Sequence, residues 1–257
     1  MEKGLIIYPK EEKERNLFLI NKCLDEFNNS QVSLLYKDEE DVLAYLKDNK
    51  IDFAIYRGRD YKLSEFLESK GIKVFNNSKT NRLANDKYLT YQFLKENNLP
   101  FNESFLSCEG LSFPLIYKSR NGHGGKEVFL INNKDVIKEE NSNYIYQRYI
   151  PNDGDVRIYL INKQVITAIK RVNKNDYRSN FSLGGEVSVY QPSKEMQDAA
   201  IKVATLLDSD YIGVDFLLTK KGFIINEIED PVGARMVYQT TDIDIIQLFI
   251  KALLQKL

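Results

Sequence analysis

The sequence predicts a chain with two structural units, a small parallel α/β unit followed by a larger α+β unit. Up to about residue 80, short apolar runs alternate with amphipathic stretches of helical period. This pattern is typical of parallel strands covered on both faces by helices. Beyond Pro100, apolar runs follow one another with turns between them, as in antiparallel hairpins. We therefore predict a boundary near residue 80 and units at 1–80 and 81–257.

The first unit begins with a buried strand at residues 4–8 and an amphipathic helix at 16–27. The helix is predicted from one apolar stripe at the 3.6-residue period, formed by Leu17, Ile20, Leu24 and Phe27. The remaining predicted elements are strands at 32–36, 52–56 and 72–75 and helices at 41–48 and 63–70.

The second unit begins with one predicted helix at 78–98, which Pro100 prevents from continuing. A last helix is predicted from Thr241 to Leu257, with Asp244 as the capping-box partner of Thr241. Between them we predict strands at 115–118, 127–131, 144–147, 156–161, 164–171 and 185–190, helices at 133–139 and 193–207, and a hairpin of strands 214–218 and 223–229.

The composition of the chain argues against several classes of function. The formal net charge of the 257 residues is -1, from 36 basic and 37 acidic side chains, so no overall field favours nucleic acid or an acidic membrane. Cys23 and Cys108 lie far apart and the chain has one histidine, which excludes a thiolate–imidazole zinc site and favours reduced thiols. The short apolar run at the N-terminus predicts neither a signal peptide nor a membrane span. We predict a cytoplasmic protein with no nucleic-acid or membrane partner.

Residues 213–229 predict a β-hairpin that carries three carboxylates. Lys220-Lys221-Gly222 has the form of a three-residue loop with glycine at the left-handed position. With this loop, Asp215 lies opposite Glu227, and period-two alternation places Glu229 on the same face.

Like charges directly opposite each other destabilise a hairpin, and a bound cation removes that cost. Oxygen ligands without histidine or cysteine favour Mg²⁺ or Mn²⁺ held together with substrate phosphates. The alternative is a hairpin whose charges face water, and a two-residue loop would place Asp215 and Glu227 on opposite faces.

A glycine-rich segment, Arg120-Asn-Gly-His-Gly-Gly-Lys126, lies between two predicted strands. Such a loop can fold over phosphates, because its backbone N–H groups are not screened by Cβ atoms. Lys118 ends an apolar run, where an ammonium group needs an anionic partner. Lys87 and His123 are ambiguous, since either a phosphate contact or an exposed surface position fits their surroundings.

Three arginines fall in or beside the central β region: Arg157, Arg171 and Arg178. A guanidinium group suits phosphoryl and carboxylate oxygens, but each arginine taken singly also fits a structural ion pair. Asn180 fits either a substrate contact or a turn.

The ordered set of motifs resembles the ATP-grasp superfamily, and within it the RimK-like group of ribosomal-protein glutamate ligases and LysX-type ligases. The resembling segments are 85–87, 114–118, 120–126, 146–150, 154–157, 169–171, 176–180, 184–185, 213–215 and 226–229. The resemblance implies an ATP-grasp fold with an N-terminal parallel α/β domain. It also implies that ATP binds between a small β-rich subdomain at about 100–147 and a C-terminal subdomain at about 148–257.

The same resemblance implies residue roles. Lys87 and Lys118 would hold the ATP phosphates, and the glycine loop would close over them. The segment Gln147, Arg148, Tyr149 and Ile150 would be the hinge beside adenine, with Asp155 near the ribose. One or two Mg²⁺ ions would be held by Asp215, Glu227 and Glu229. The transferring phosphoryl group and the acceptor carboxylate would face Arg157, Arg171, Arg178 and Asn180.

Two departures from the group's pattern affect substrate and metal. Glu229 stands where the group usually has Asn, which adds a negative charge. The small-residue segment that follows contains Arg235, a candidate selector for an acidic substrate.

The predicted function is a ligase that uses ATP and Mg²⁺ to join a small-molecule or peptide carboxylate to an amine, such as an amino acid, through an acyl phosphate. Two alternatives stay open: a ligase that modifies a peptide or protein, and a nucleotide-binding regulatory protein without catalysis. An unrelated α+β binding protein with a water-facing acidic hairpin is a further alternative. The sequence indicates no oligomeric state.

Overall fold

The computed structural model describes residues 2–28, 30–125, 127–134, 141–173 and 186–257. The strands are β1 (Lys3–Tyr8), β2 (Ser33–Asp38), β3 (Phe53–Tyr56), β4 (Lys73–Phe75), β5 (Ser104–Phe105), β6 (Leu115–Ser119), β7 (Val128–Ile131), β8 (Tyr144–Arg148), β9 (Asp155–Ile161), β10 (Gln164–Val172), β11 (Glu186–Val189), β12 (Tyr211–Thr219) and β13 (Gly222–Glu229). The helices are α1 (Lys13–Asn28), α2 (Val42–Asp48), α3 (Tyr61–Ser69), α4 (Ser78–Ala84), α5 (Lys87–Glu96), α6 (Lys194–Leu207), α7 (Arg235–Thr240) and α8 (Ile245–Leu254).

The N-terminal sheet is parallel, in the order β2-β1-β3-β4, as the βα alternation predicts. Helix α1 buries Ile20, Cys23 and Phe27 against it, whereas Leu17, predicted on the buried stripe, is 36% exposed. Strand β1 is covered on both faces, because Ile6 and Leu5 belong to different clusters of buried side chains.

Two antiparallel sheets follow, in the orders β5-β8-β6-β7 and β11-β10-β9-β12-β13. The parallel and antiparallel sheets together confirm the predicted combination of α/β and α+β structure. The domain and subdomain boundaries stay predictions. The predicted helix at 133–139 falls largely on residues outside the described ranges.

The five-stranded sheet is buried on both faces. Ile158 and Val214 point to one face, where they pack against α5 and α6. Tyr159 and Tyr211 point to the other face, where they pack with side chains of the N-terminal sheet and α8. Because side chains alternate along a strand, Arg157 and Asp215 lie on this second face, toward the N-terminal sheet.

Two predicted helices differ from the structure. The helix predicted at 78–98 is two helices, α4 and α5, because Asp86 caps α5 by accepting hydrogen bonds from the backbone N–H groups of Tyr88 (2.9 Å) and Leu89 (3.3 Å). The last helix begins at Ile245 and ends at Leu254. Asp244 is its N-cap, accepting from the N–H of Gln247 at 3.1 Å, and is not a partner of Thr241.

In the described part of the chain, no helix combines the length and the apolar character that crossing a membrane requires.

Candidate functional site

The β12–β13 hairpin has a two-residue loop, so the predicted three-residue loop is wrong. Thr219 pairs with Gly222, and Phe216 pairs with Ile225. A β-bulge at Asn226 then inserts one residue, so that Asp215 nevertheless pairs with Glu227. The bulge coincides with a contact outside the hairpin, since the N–H of Ile225 donates to the carbonyl of Pro100 at 2.9 Å.

The hairpin brings three carboxylates together. Asp215, Glu227 and Glu229 each offer an oxygen, and these oxygens lie within 4.8 Å of one another. Burial raises the pKa of Asp215, but Arg157 and Arg171 outweigh burial and hold that pKa well below its usual range. Burial likewise opposes ionisation of Glu227, and Lys87 and Lys118 outweigh it and lower its pKa. An ionised, oxygen-only donor set of this kind fits Mg²⁺ or Mn²⁺.

Two buried arginines bind the same carboxylates. Arg157 donates to Asp215 through Nε (2.6 Å) and Nη2 (2.7 Å), and its Nη2 also reaches Glu229 at 2.9 Å. Arg171 donates to Asp215 at 2.7 Å and pairs with Asp155. Gly213 leaves space for this packing, because a Cβ there would lie 3.1 Å from Cδ of Arg157. Asp155, predicted near a ribose, is thus buried in an ion pair.

The two predicted lysines meet at Glu227. The Lys118 Nζ lies 3.5 Å from Glu227 Oε1 and 3.5 Å from Asn226 Oδ1. Burial lowers the pKa of Lys118, and Glu227 offsets part of that effect. The Lys87 Nζ lies 3.9 Å from the same Glu227 oxygen and donates to the carbonyl of Gly122. A phosphate chain between these ammonium groups would be bound from two sides.

The glycine loop joins β6 to β7. Gly124 (φ 68°) and Gly125 (φ 73°) have left-handed backbone conformations, which side-chain-bearing residues adopt at a cost. His123, between the glycines, is exposed. Arg120, at the start of the loop, pairs with Asp86 at 2.6 Å and so fastens the loop to the first turn of α5.

A first cavity lies between the four-stranded and five-stranded antiparallel sheets. Ile116, Val128 and Leu217 form an apolar part of its wall. Every residue predicted to contact the nucleotide also lines it: Lys87, Lys118, Gly122, His123, Gly124, Gly125, Gln147, Arg148, Tyr149, Ile150 and Asp155.

The hinge segment has its side chains turned in different directions. Gln147 is buried, and its amide donates to Ser104 Oγ at 2.8 Å. Arg148 is exposed, and the N–H of Tyr149 donates to the carbonyl of Pro114 at 3.3 Å. Gln147 therefore supports the strand, and a planar ligand at the hinge would meet backbone atoms.

A second cavity lies between the N-terminal sheet and the carboxylate cluster. Arg157, Arg171, Glu227, Glu229 and Arg235 line it, as expected from their predicted roles. Arg235 is exposed at the first turn of α7. Arg178 and Asn180 lie outside the described residues.

The sequence interpretation missed three arginines that line the second cavity: Arg15, Arg57 and Arg59. Arg57 and Arg59 directly follow β3, and Arg15 lies in the first turn of α1, the helix after β1. The sheet order reverses between these two strands. In open parallel sheets ligands bind at this carboxyl edge, so polar residues directly after the predicted strand 52–56 were a usable signal. Asn226 was also missed, because it lies in the pocket only through the bulge.

The chain is similar to known proteins over much of its length. The chain is 36% identical over 167 residues to the protein MG011 of Mycoplasma genitalium, covering 62% of this chain and 58% of the relative. It is 30% identical over 145 residues to a Haemophilus influenzae protein named probable alpha-L-glutamate ligase, covering 52% of this chain and 48% of the relative. The chain thus spans about half the length of the curated relatives it matches.

The fold matches solved structures over the whole chain. The ATP-grasp ligase PsnB, in a complex with a minimal precursor, Mg and ADP, has a TM-score of 0.72 and 16% identity, covering 99% of this chain and 96% of that structure. The two proteins therefore share the ATP-grasp fold. The family model of the RimK-like ATP-grasp domain matches residues 84–253, more than half of the 257 residues, and the chain belongs to the RimK-like ATP-grasp family.

Proposed function

We propose that the protein is an ATP- and Mg²⁺-dependent ligase that joins a carboxylic acid to an amine. The observation that carries the proposal is that the two cavities share one charged cluster. Lys87, Arg171 and Glu227, together with Gly122, His123 and Gly124, line both cavities. A phosphoryl donor in the first cavity and an acid in the second would therefore meet at these residues.

The first cavity would hold ATP. Its apolar wall at Ile116, Val128 and Leu217 suits adenine, and Lys118 and Lys87 would bind the phosphates beneath the glycine loop. Asp215, Glu227 and Glu229 would hold one or two Mg²⁺ ions, and bound Mg²⁺ supplies neutralisation of phosphate charge.

The second cavity would hold the acid. A carboxylate oxygen of the substrate attacks the γ-phosphorus, the bond from that phosphorus to the ADP oxygen breaks, and an acyl phosphate and ADP result. The amine nitrogen then attacks the acyl carbon, phosphate leaves, and the amine loses a proton as the amide forms. Arg157 and Arg171 would stabilise the transferring group by charge and position.

The arginines of the second cavity favour a substrate acid that carries a further anionic group. Arg15, Arg59 and Arg235 form no ion pair with a carboxylate of the described residues, and all three line the second cavity. Guanidinium groups suit carboxylates, and the Haemophilus influenzae relative is named for glutamate. The acid would be a small molecule or the end of a peptide.

A second candidate is a ligase that modifies a polypeptide. Arg15 and Arg235, at the second cavity, are both exposed, which leaves room for an acid carried on a larger molecule. PsnB was solved with a precursor. A regulatory nucleotide-binding protein is less favoured, because both lysines and all three carboxylates are present.

The test is thermal unfolding with a non-hydrolysable ATP analogue, with and without Mg²⁺, followed by ADP release with pairs of acids and amines. Ligand at 100 times its dissociation constant stabilises by about 2.7 kcal/mol, a shift of roughly 5–10 °C at this chain length. No shift at millimolar nucleotide contradicts the ATP site. A mass increase on a peptide, with no product from free amino acids, identifies the second candidate.

A further inference from the structure

Asp230, the residue directly after β13, is a buried carboxylate held by amides. It is 4% exposed, and no lysine or arginine in the described ranges forms an ion pair with it. Its Oδ1 accepts from Asn76 Nδ2 at 2.8 Å and its Oδ2 from Asn81 Nδ2 at 3.0 Å. Burying a carboxylate is costly, and these two hydrogen bonds, together with the nearby charge of Arg57, stabilise Asp230 in this place.

The two asparagines also bind other parts of the chain. Asn76 donates to the carbonyl of Tyr211 at 2.6 Å and accepts from its N–H at 2.9 Å, which fixes the start of β12. Asn81 donates to the carbonyl of Gly58 at 2.9 Å, in the segment that follows β3. Asp230 is therefore linked to the β12–β13 hairpin and to the edge of the N-terminal sheet at the same time.

Side chains from the same region of the chain also bind the backbone around Asp230. The carbonyl of Asp230 accepts from Asn85 Nδ2 at 2.8 Å, and the carbonyl of Val232 accepts from Arg57 Nη2 at 2.6 Å. Four side chains between residues 57 and 85 thus hold residues 230–232. Glu229, one peptide unit before this anchored segment, is the last residue of β13 and a member of the carboxylate cluster.

We propose that Asp230 and Asn81 are positioning residues for the proposed metal site. By fixing the end of β13 they set the place of the Glu229 carboxylate relative to Asp215 and Glu227. Arg157 acts on the carboxylate itself, since its Nη2 donates to Glu229 at 2.9 Å and to Asp215 at 2.7 Å, whereas Asp230 acts on the backbone that carries Glu229. The inference rests on the proposed function, since it requires that the cluster bind a divalent cation.

The decisive comparison is between two asparagines of one helical segment. Asn81→Ala removes the hydrogen bonds to Asp230 and Gly58. Asn77→Ala is the matched control: Asn77 caps α4 by accepting from the N–H of Thr80 at 2.8 Å and donates to the carbonyl of Leu207 at 3.0 Å, with no bond to Asp230. Both variants lose one side-chain amide that stabilises the fold, but only the first acts on the segment after Glu229.

The readout is the affinity of the full chain for Mn²⁺ in the presence of a non-hydrolysable ATP analogue. Binding is measured through the electron paramagnetic resonance signal of free Mn²⁺. Loss of a residue that orients a metal ligand weakens metal binding by about 10-fold to 100-fold. We expect at least a tenfold weaker Mn²⁺ affinity for Asn81→Ala and less than a twofold change for Asn77→Ala. Asp230→Asn, which preserves shape, should weaken Mn²⁺ binding as Asn81→Ala does.

Equal changes in Asn81→Ala and Asn77→Ala, or no change in either, overturn the positioning role while leaving the proposed function intact. If wild-type protein binds no Mn²⁺ with the nucleotide present, the proposed function fails and the inference fails with it. Urea unfolding identifies a variant that does not fold. If Asn81→Ala fails to fold, Asn81→Ser, which keeps a small hydrogen-bonding side chain, replaces it, with an intermediate loss of Mn²⁺ affinity expected.

Discussion

Replacing Asp215 by Asn should destabilise the metal-free protein strongly. Asp215 is 3% exposed and accepts three hydrogen bonds from guanidinium groups, two from Arg157 (2.6 and 2.7 Å) and one from Arg171 (2.7 Å). An amide presents one acceptor and one NH₂ group to these donors, so each of two buried cations loses one of its two carboxylate partners and keeps only Glu229 (Arg157) or Asp155 (Arg171). Removing one partner of a buried ion pair costs about 3–5 kcal/mol, and we expect a loss of this size in the free energy of unfolding.

The assay is urea unfolding of wild type and Asp215→Asn in a chelating buffer. Asp208→Asn is the matched control, because Asp208 pairs with Lys163 at 2.5 Å but its side chain is 77% exposed. Exposed pairs contribute about 1 kcal/mol or less. If the two variants lose the same stability to within about 1 kcal/mol, then Asp215 does not balance the two arginines and the charge assignment is wrong.

Acid provides a second test of Asp215. Its pKa lies below the ordinary value of 3.8 in the folded protein, so the unfolded chain binds more protons between the two values. The stabilisation from Asp215 is therefore present above pH 3.8 and is lost as the pH falls through the lower, folded-state pKa. Asp215→Asn lacks this contribution, and its stability should fall less steeply with acid over that range. Parallel curves would contradict the assignment.

The remaining predictions concern residues around the first cavity. Their common measurement is thermal unfolding, with and without Mg²⁺ and the ATP analogue. Deleting Asn226 removes the bulge but keeps Glu227 opposite Asp215, because Glu227 then directly follows Ile225 in the ladder. The magnesium-dependent shift should therefore persist in this deletion, whereas Glu227→Gln, which removes a proposed metal ligand, should abolish it. Lys118→Ala should weaken nucleotide binding by about 10-fold to 100-fold, the effect of one charged hydrogen bond, and exposed Lys220→Ala should not. Gly125→Ala, at φ 73°, should destabilise by about 1 kcal/mol, and Gly233→Ala, where a Cβ has open space, should be neutral. A lost shift on deleting Asn226, equal lysine effects or equal glycine effects would contradict these assignments in turn.

Local patterns in the sequence were enough to predict the parallel and antiparallel units, and the residues that the resemblance assigned to the nucleotide line the first cavity. The helix at 78–98 shows where such patterns fail. Asn85 and Asp86 are typical capping residues, but the apolar period continues across them, and only the hydrogen bonds of Asp86 separate α4 from α5.

The carboxylate cluster was predicted from an incorrect loop. A three-residue loop without a bulge and a two-residue loop with a bulge give the same pairing of Asp215 with Glu227. The bulge coincides with a hydrogen bond from Ile225 to Pro100, more than 100 positions away, and no pattern within the hairpin encodes that contact. The arginines of the N-terminal sheet were missed for the same reason, because packing of separate units brings them to the second cavity.

The negative charge of Glu229 changes how this site would attract a nucleotide. The network of ion pairs around Asp215 and Glu227 contains four carboxylates and four cations: Asp155, Asp215, Glu227 and Glu229 with Lys87, Lys118, Arg157 and Arg171. An asparagine at 229, as in the pattern that the chain resembles, would leave one positive charge to attract a nucleotide. With Glu229 the formal charges cancel, so a triphosphate entering this cluster gains less from the protein alone. Nucleotide binding by this chain should therefore depend more strictly on the divalent cation that accompanies it.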